Sequence, residues 1–361
     1  MSKWWSTFLV IIPFVLNMGL LFVFKDFQSV FLVNDLPDSI SNSSSSILVS
    51  WLFGGIMSLL GFITLFIAFS YENKLLTASK IKQQLLRPYA LSLEEIMLNF
   101  SVYRLYISKD FLLNYIYWVF IIVSSISIFT WGIIISFYTN FEFITLPISY
   151  MQITDIIVVV IWGLLSFVLI AISILLNLIR SNKDPLEKGF LLNETQLSDV
   201  QILHEKNGDL QELFFKIAPT ITLLRKPQDV EEYELNIYFP IKLSNMRFVA
   251  QIYNTNRDVS IRTFGVIQNV DKIGGSFSHI FTNQLSLTSI NLNENSNGVL
   301  KFYDKDNRLV SLLMLKANKS DEGIKYQVTE KVDLKIITND NDYRDIENRN
   351  DEFMDYTLGV L

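Results

Sequence analysis

Residues 156–179 read IIVVVIWGLLSFVLIAISILLNLI, a stretch without one ionisable side chain. A helix rises about 1.5 Å per residue, so roughly 20 apolar residues cross a bilayer core of about 30 Å. Three further uncharged runs precede it, at 7–24, 47–70 and 111–138. Each is about that long or longer. The four runs predict a membrane α-helical bundle of four transmembrane helices over residues 1–180. Pro13 is tolerated inside a span, and the Trp4-Trp5 pair is an interfacial anchor.

Charge divides the chain in two. Residues 1–180 carry nine Lys/Arg and nine Asp/Glu. Residues 181–361 carry the other 21 and 27 of the 30 and 36 in the chain, giving formal charges of 0 and −6. Neither half has the surplus of Lys and Arg that phosphate neutralisation needs, so nucleic acid is not an expected partner. A tail of about 180 residues is long enough for a core of its own. The chain has no cysteine. That excludes disulfides, thiolate metal sites and cysteine nucleophiles, and it fits a tail in a reducing cytosol. The bias toward Ile, Asn, Lys and Phe fits an AT-rich bacterial genome.

The first run resembles a signal peptide only in part. Lys3 precedes it, but it ends Leu21-Phe22-Val23-Phe24 with no small-residue cleavage site. It also exceeds the usual apolar region of about 7–15 residues, which predicts a retained span.

Orientation follows the Lys/Arg content of the short loops. The 25–46 loop has one Lys and three Asp, and it closes with the polar tract Ser41-Asn42-Ser43-Ser44-Ser45-Ser46. The 71–110 loop has six basic residues, the 139–155 loop has none, and Arg180, Lys183 and Lys188 follow the last span. This alternation predicts a multi-pass protein of a bacterial inner or plasma membrane. Both termini and the 71–110 loop lie in the cytoplasm.

That loop has structure of its own. Residues 74–86 form a basic amphipathic stretch that Pro88 stops. Ser92 and Glu95 have the spacing of a capping box. Behind them Leu93, Ile96, Phe100, Tyr103 and Ile107 recur at spacings of three and four, which predicts a helix with one apolar face. It is expected to act as a membrane-surface helix or to dock on the tail, as a packed extension of the bundle or as a coupling element.

Inside lipid, helices associate through small and polar residues. Gly54, Ser58, Gly61 and Ala68 form such a stripe in the second span, and Ser125, Gly132 and Ser136 in the third. Gly163, Ser166, Ser173 and Asn177 form one in the fourth. The stripes are expected to face one another as bundle packing, with a pore lining as the functional alternative. No span holds the ionisable groups that ion-coupled pumps and voltage sensors require, and no internal repeat of the carrier type is visible.

Residues 181–197 read as a linker broken by Pro185 and Gly189. From 198 to 338 the pattern is short runs rich in Val, Ile, Phe, Tyr and Thr: 201–205, 210–217, 233–239, 246–253, 259–267, 299–303, 309–316 and 324–337. Turn residues separate them, which predicts a β-rich cytosolic domain, an antiparallel sandwich or barrel. The clearest hairpin crosses Asp304-Lys305-Asp306-Asn307. Residues 339–361 read as an acidic, solvated C-terminal segment. Asp340, Asp342, Asp345 and Glu347 suggest a calcium loop only superficially, since its glycine and its terminal Glu are out of register.

Catalytic and cofactor signals are sparse. His204 and His279 are the only histidines. No carboxylate stands at a metal-motif spacing from either. Ser278 and His279 would point to opposite faces of a strand, which breaks a nucleophile–base dyad. Gly274-Gly275 lacks both the phosphate-loop and the dinucleotide pattern. No cofactor is expected.

Three functions are consistent with this layout. The first is a non-catalytic membrane sensor, scaffold or effector. Its cytosolic domain binds a small ligand or a protein partner, and its bundle anchors or responds, one version being self-association into a pore. The second is an accessory subunit of a transport or secretion complex. The third, least supported, is a membrane-surface enzyme.

Overall fold

The computed structural model describes residues 5–22, 44–108, 110–138, 150–225, 232–268, 276–281, 285–286, 292–321, 323–334, 342 and 353–358. Most of the 25–46 and 139–155 loops, Gly274-Gly275 and most of 339–361 lie outside them. The chain forms two units. One holds Met1–Leu76 and Lys109–Leu191; the other holds Thr77–Ser108 and Leu192–Leu361.

The first unit is helical. It contains α1 (Trp5–Phe22), the first part of α2 (Ser44–Leu86), α4 (Phe111–Tyr138) and α5 (Tyr150–Arg180). α3 (Leu93–Ile107) belongs to the second unit. Among the described residues three helices, α2, α4 and α5, are long and apolar enough to cross a membrane. The apolar part of α1 at Trp5–Gly19 is shorter. The four-span expectation is therefore met at three helices among the described residues.

Val10, Leu60, Tyr117, Phe120, Ile128 and Trp162 form the centre of this unit. Its outer surface carries Phe62, Leu65, Phe111, Ile126 and Phe167, all exposed. Such a surface suits hydrocarbon rather than water.

The second unit is a sheet domain with small helices. α3 opens with the expected capping box: Glu95 N–H donates to Ser92 Oγ at 3.3 Å, and Ser92 N–H donates to Glu95 Oε2 at 2.8 Å. Three short helices follow, α6 (Glu194–Leu197), α7 (Val200–Glu205) and α8 (Leu210–Lys216). The runs at 201–205 and 210–217, expected as strands, are thus helical. Each is short, which leaves periodicity ambiguous. Asp199 and Asp209 settle the matter by accepting hydrogen bonds from the first-turn amides as N-caps.

Among the described residues ten strands then form one antiparallel sheet: β1 (Thr220–Arg225), β2 (Glu232–Phe239), β3 (Met246–Tyr253), β4 (Val259–Ile267), β5 (Phe277–Ile280), β6 (Leu285–Ser286), β7 (Asn297–Tyr303), β8 (Leu309–Ser320), β9 (Gly323–Lys331) and β10 (Phe353–Leu358). Their order is β10-β4-β3-β7-β8-β9-β1-β2-β5, with β6 also on β2. Among the described residues the expected antiparallel sandwich or barrel is met as an antiparallel half-barrel. β10 pairs with β4 from Phe353 opposite Val266 to Leu358 opposite Ile261, so part of the expected solvated segment is an edge strand.

The predicted hairpin joins β7 to β8. Its turn is held by Asp304 N–H donating to Arg308 O at 3.0 Å, with Asn307 at φ 60°. Asparagine tolerates that left-handed conformation better than most side chains.

The sheet has two different faces. Phe214 of α8 stacks on Phe302 of β7 at 4.1 Å between ring centres, covering one face. Val249, Phe264, Val266 and Tyr303 form a second apolar cluster. Val249 and Tyr303 immediately follow Phe248 and Phe302 in their strands, so period-2 alternation puts this cluster on the other face.

Candidate functional site

The residues that close the end of α2 form the most distinctive local structure in the second unit. α2 has 43 residues, about 65 Å of helix against a bilayer core of about 30 Å. Its last turn leaves carbonyls without helical partners. Asp209 N–H donates to Leu86 O at 2.8 Å. One residue earlier, Gly208 fits so closely that an added Cβ would lie 2.9 Å from Leu203 O and 3.0 Å from Leu86 Cδ2.

The Asp209 side chain works in two directions. Oδ1 accepts from Glu212 N–H at 2.9 Å and caps α8. Oδ2 accepts from the Tyr89 hydroxyl at 2.6 Å. Burial alone would raise the Asp209 pKa. The Tyr89 bond, the Glu212 and Gln211 amides and the Lys331 charge outweigh it and hold the carboxyl below its ordinary value. Lys331 of β9 also pairs with Glu212 at 2.5 Å. The end of α2, the start of α8 and strand β9 are thereby tied through one carboxylate and its neighbour.

α3 is held in the same unit. Ile96, Phe100 and Tyr103 are each 0% exposed. Tyr103 donates its hydroxyl to Leu192 O at 2.8 Å, and Arg104 pairs with Glu194 at 3.2 Å. The face expected on the membrane surface or on the tail is packed against protein, with Ile107 half-buried.

The stripe residues of the first unit separate into two groups. Ser125 Oγ donates to Leu9 O at 2.8 Å. Gly132 lies beneath Asn17, whose amide donates to Ile128 O and Phe129 O, both at 3.1 Å. Ser166, Ser173 and Asn177 are buried. Gly54, Ser58 and Gly61 are exposed, and nothing lies within 4 Å of a Cβ added at Gly54, Gly61 or Gly163. Among the described residues Gly54, Ser58 and Gly61 therefore do not pack tightly against the other stripes. The side chain of Ser136 lies outside the described residues.

Asn17 has no counterpart in the expected stripes. A lone amide in an apolar run is its signal. The unit also has a shallow recess lined by Met57, Ser127, Trp131, Trp162 and Ser166.

The histidines are apart from all of this. His204 is exposed on α7. His279 packs its ring edge-on to Phe281 at 4.7 Å and stands opposite Ile237 in the sheet. Ser278 donates to Asn236 at 2.8 Å. No group of three metal-binding side chains occurs among the described residues. No protein-family model, curated protein or solved structure matches the chain.

Proposed function

We infer that the chain is a non-catalytic sensor or effector of a bacterial cell membrane. It crosses the bilayer four times, with both termini inside. Its β-rich domain binds a ligand or partner in the cytoplasm, and its bundle responds, in one version by self-association into a pore. The observation that carries this reading is the capped end of α2. The helix that supplies the second span is continuous to Leu86, where Asp209, Tyr89 and Lys331 incorporate it into the sheet domain. A binding event felt by β9 or α8 has a covalent route to that span.

The packing of α1 supports the fourth span. Ser6 meets Tyr117 at 2.8 Å and Asn17 meets Ile128 at 3.1 Å, so α1 and α4 run side by side in the same direction. First and third spans must share a direction. Arg180 lies 4.6 Å from the Tyr117 ring at the end expected to face the cytoplasm, as an interfacial cation on an aromatic does.

The test is membrane potential, followed with a voltage-sensitive dye in cells that make the full chain together with its trigger. Wild type depolarises the cells. Asp209→Ala with Tyr89→Phe, which leaves every span intact, weakens that response at equal expression. An unchanged potential in a responsive host overturns the pore-forming version.

A further inference from the structure

α5 ends at a single arginine. Lys183 N–H donates to Leu178 O at 3.4 Å and Asn182 N–H to Ile179 O at 3.0 Å, with Asn182 at φ 62°. Those two bonds and that left-handed residue make a Schellman cap, so Arg180 is the last residue of the helix. The chain then doubles back. Leu191 N–H donates to Asn182 O at 2.8 Å, and Asp184 N–H to Gly189 O at 3.0 Å. Asp184 Oδ1 ties the tip by accepting from the Leu186 and Glu187 amides at 3.0 and 3.3 Å. This loop holds Lys183 and Lys188 exposed just beyond the helix end.

Arg180 is half-buried. Its guanidinium carbon lies 4.6 Å from the centre of the Tyr117 ring and 5.6 Å from that of Trp118. Rings attract the charge but leave the planar fork of five N–H donors to find acceptors elsewhere. Among the described residues Arg180 makes no ion pair and no side-chain hydrogen bond. Asp110 acts on the same Tyr71 hydroxyl as Arg180 does, but its Oδ1 accepts from the Leu112 and Leu113 amides at the start of α4.

The depth of Arg180 suggests what completes it. The uncharged run at 156–179 has 24 residues, about 36 Å of helix against a hydrocarbon core of about 30 Å. A centred run ends about 3 Å outside the hydrocarbon, and Arg180 follows it into the headgroup layer. A guanidinium there matches a phosphate through two parallel bonds. Arg180, Lys183 and Lys188 outnumber Asp184 and Glu187 by three to two. Selectivity therefore comes from the positioned fork more than from net charge.

We propose that Arg180, assisted by Lys183 and Lys188, binds the phosphate of an anionic membrane lipid at the end of α5. The proposal rests on the reading of α5 as a span and is independent of pore formation.

The test uses the full chain in a neutral detergent. Its melting temperature is followed as short-chain phosphatidylglycerol, or phosphatidylcholine of equal chain length, is added. Phosphatidylglycerol is expected to raise it further, because choline offsets the phosphate charge in the other lipid. Arg180→Gln should need roughly tenfold more phosphatidylglycerol for the same rise, the scale of one bond to a charged group. Arg180→Lys keeps the charge without the fork and should fall between.

Equal wild-type responses to the two lipids overturn the proposal, even if the variants do not fold. A wild-type response in Arg180→Gln overturns it as well. Inorganic phosphate at matched ionic strength should have no such effect; a rise equal to that from phosphatidylglycerol overturns the lipid in favour of a soluble phosphate. Carbonate-washed membranes separate this site from the span. A chain that stays in the pellet yet shows no lipid preference loses the site alone, whereas a chain released to the supernatant loses both.

Discussion

Asn17 of α1 rests on Gly132 of α4 so closely that a Cβ at position 132 would lie 2.2 Å from Asn17 Nδ2 and 2.6 Å from Asn17 Cβ. The glycine is needed for the amide to reach the Ile128 and Phe129 carbonyls. Since Asn17 Cβ is itself in the way, rotating the amide does not relieve the clash. Gly132→Ala should cost about 1–2 kcal/mol, the worth of such interhelical bonds. Thermal melts of the full chain in detergent check this. Asn17→Ala should cost a similar amount, and the double variant should cost less than the sum, as residues in contact do.

Asp209→Ala should destabilise the sheet domain by about 1–2 kcal/mol, through the lost cap on α8 and the lost Tyr89 bond. Hydrogen exchange should quicken at the Glu212 amide. The pH dependence has a defined sign. The folded-state pKa is depressed, so the contribution is complete above the unfolded carboxylate's pKa and disappears as pH falls through the lower folded value. Denaturant midpoints across the acid range should show this loss in wild type, and a smaller one in Asp209→Ala.

Phe100→Ala should cost about 3–5 kcal/mol because the ring is fully buried in the second unit. Tyr103→Phe should cost about 1–3 kcal/mol by leaving the Leu192 carbonyl unpaired. A helix lying on lipid would tolerate both changes, so unaltered melting of the two variants would count against the packing described for α3.

The absence of cysteine makes topology directly readable. Single cysteines at Ser108 and Ser320 should react with a membrane-impermeant maleimide only after cells are opened. One at Asn42 should react in intact cells. The reverse pattern would overturn the assigned orientation.

The long uncharged runs were legible because a span of about 20 residues leaves no room for ambiguity in length. Strands β3 and β4 were legible at their exact ends because Asn254 to Asp258 breaks the pattern between them. The short elements were not. Val200–Glu205 and Leu210–Lys216 are too brief for periodicity to speak, although Asp199 and Asp209 immediately before them are cap residues in plain sight. β10 escaped notice because Asp355 and its acidic neighbours mask an edge strand.

Whether the strands close, stack or stay open depends on pairings such as Phe353 with Val266 that no local pattern encodes. At the candidate site, Tyr89 and Asp209 are 120 positions apart and meet only in the fold. The Ser92–Glu95 cap was readable because its two members are neighbours.

The second unit is assembled from two separated pieces of chain, Thr77–Ser108 and Leu192–Leu361. During synthesis the first piece leaves the ribosome while α4, α5 and the whole sheet are still unmade. Tyr103 then lacks its Leu192 partner and Arg104 its Glu194 partner, and the apolar face of Ile96, Phe100 and Tyr103 awaits the later piece. The domain can be completed only after both later helices have been made. A chain that stops before Leu192–Leu361 is made therefore leaves the buried face of α3 uncovered and sticky, a built-in mark by which quality control can recognise a defective copy.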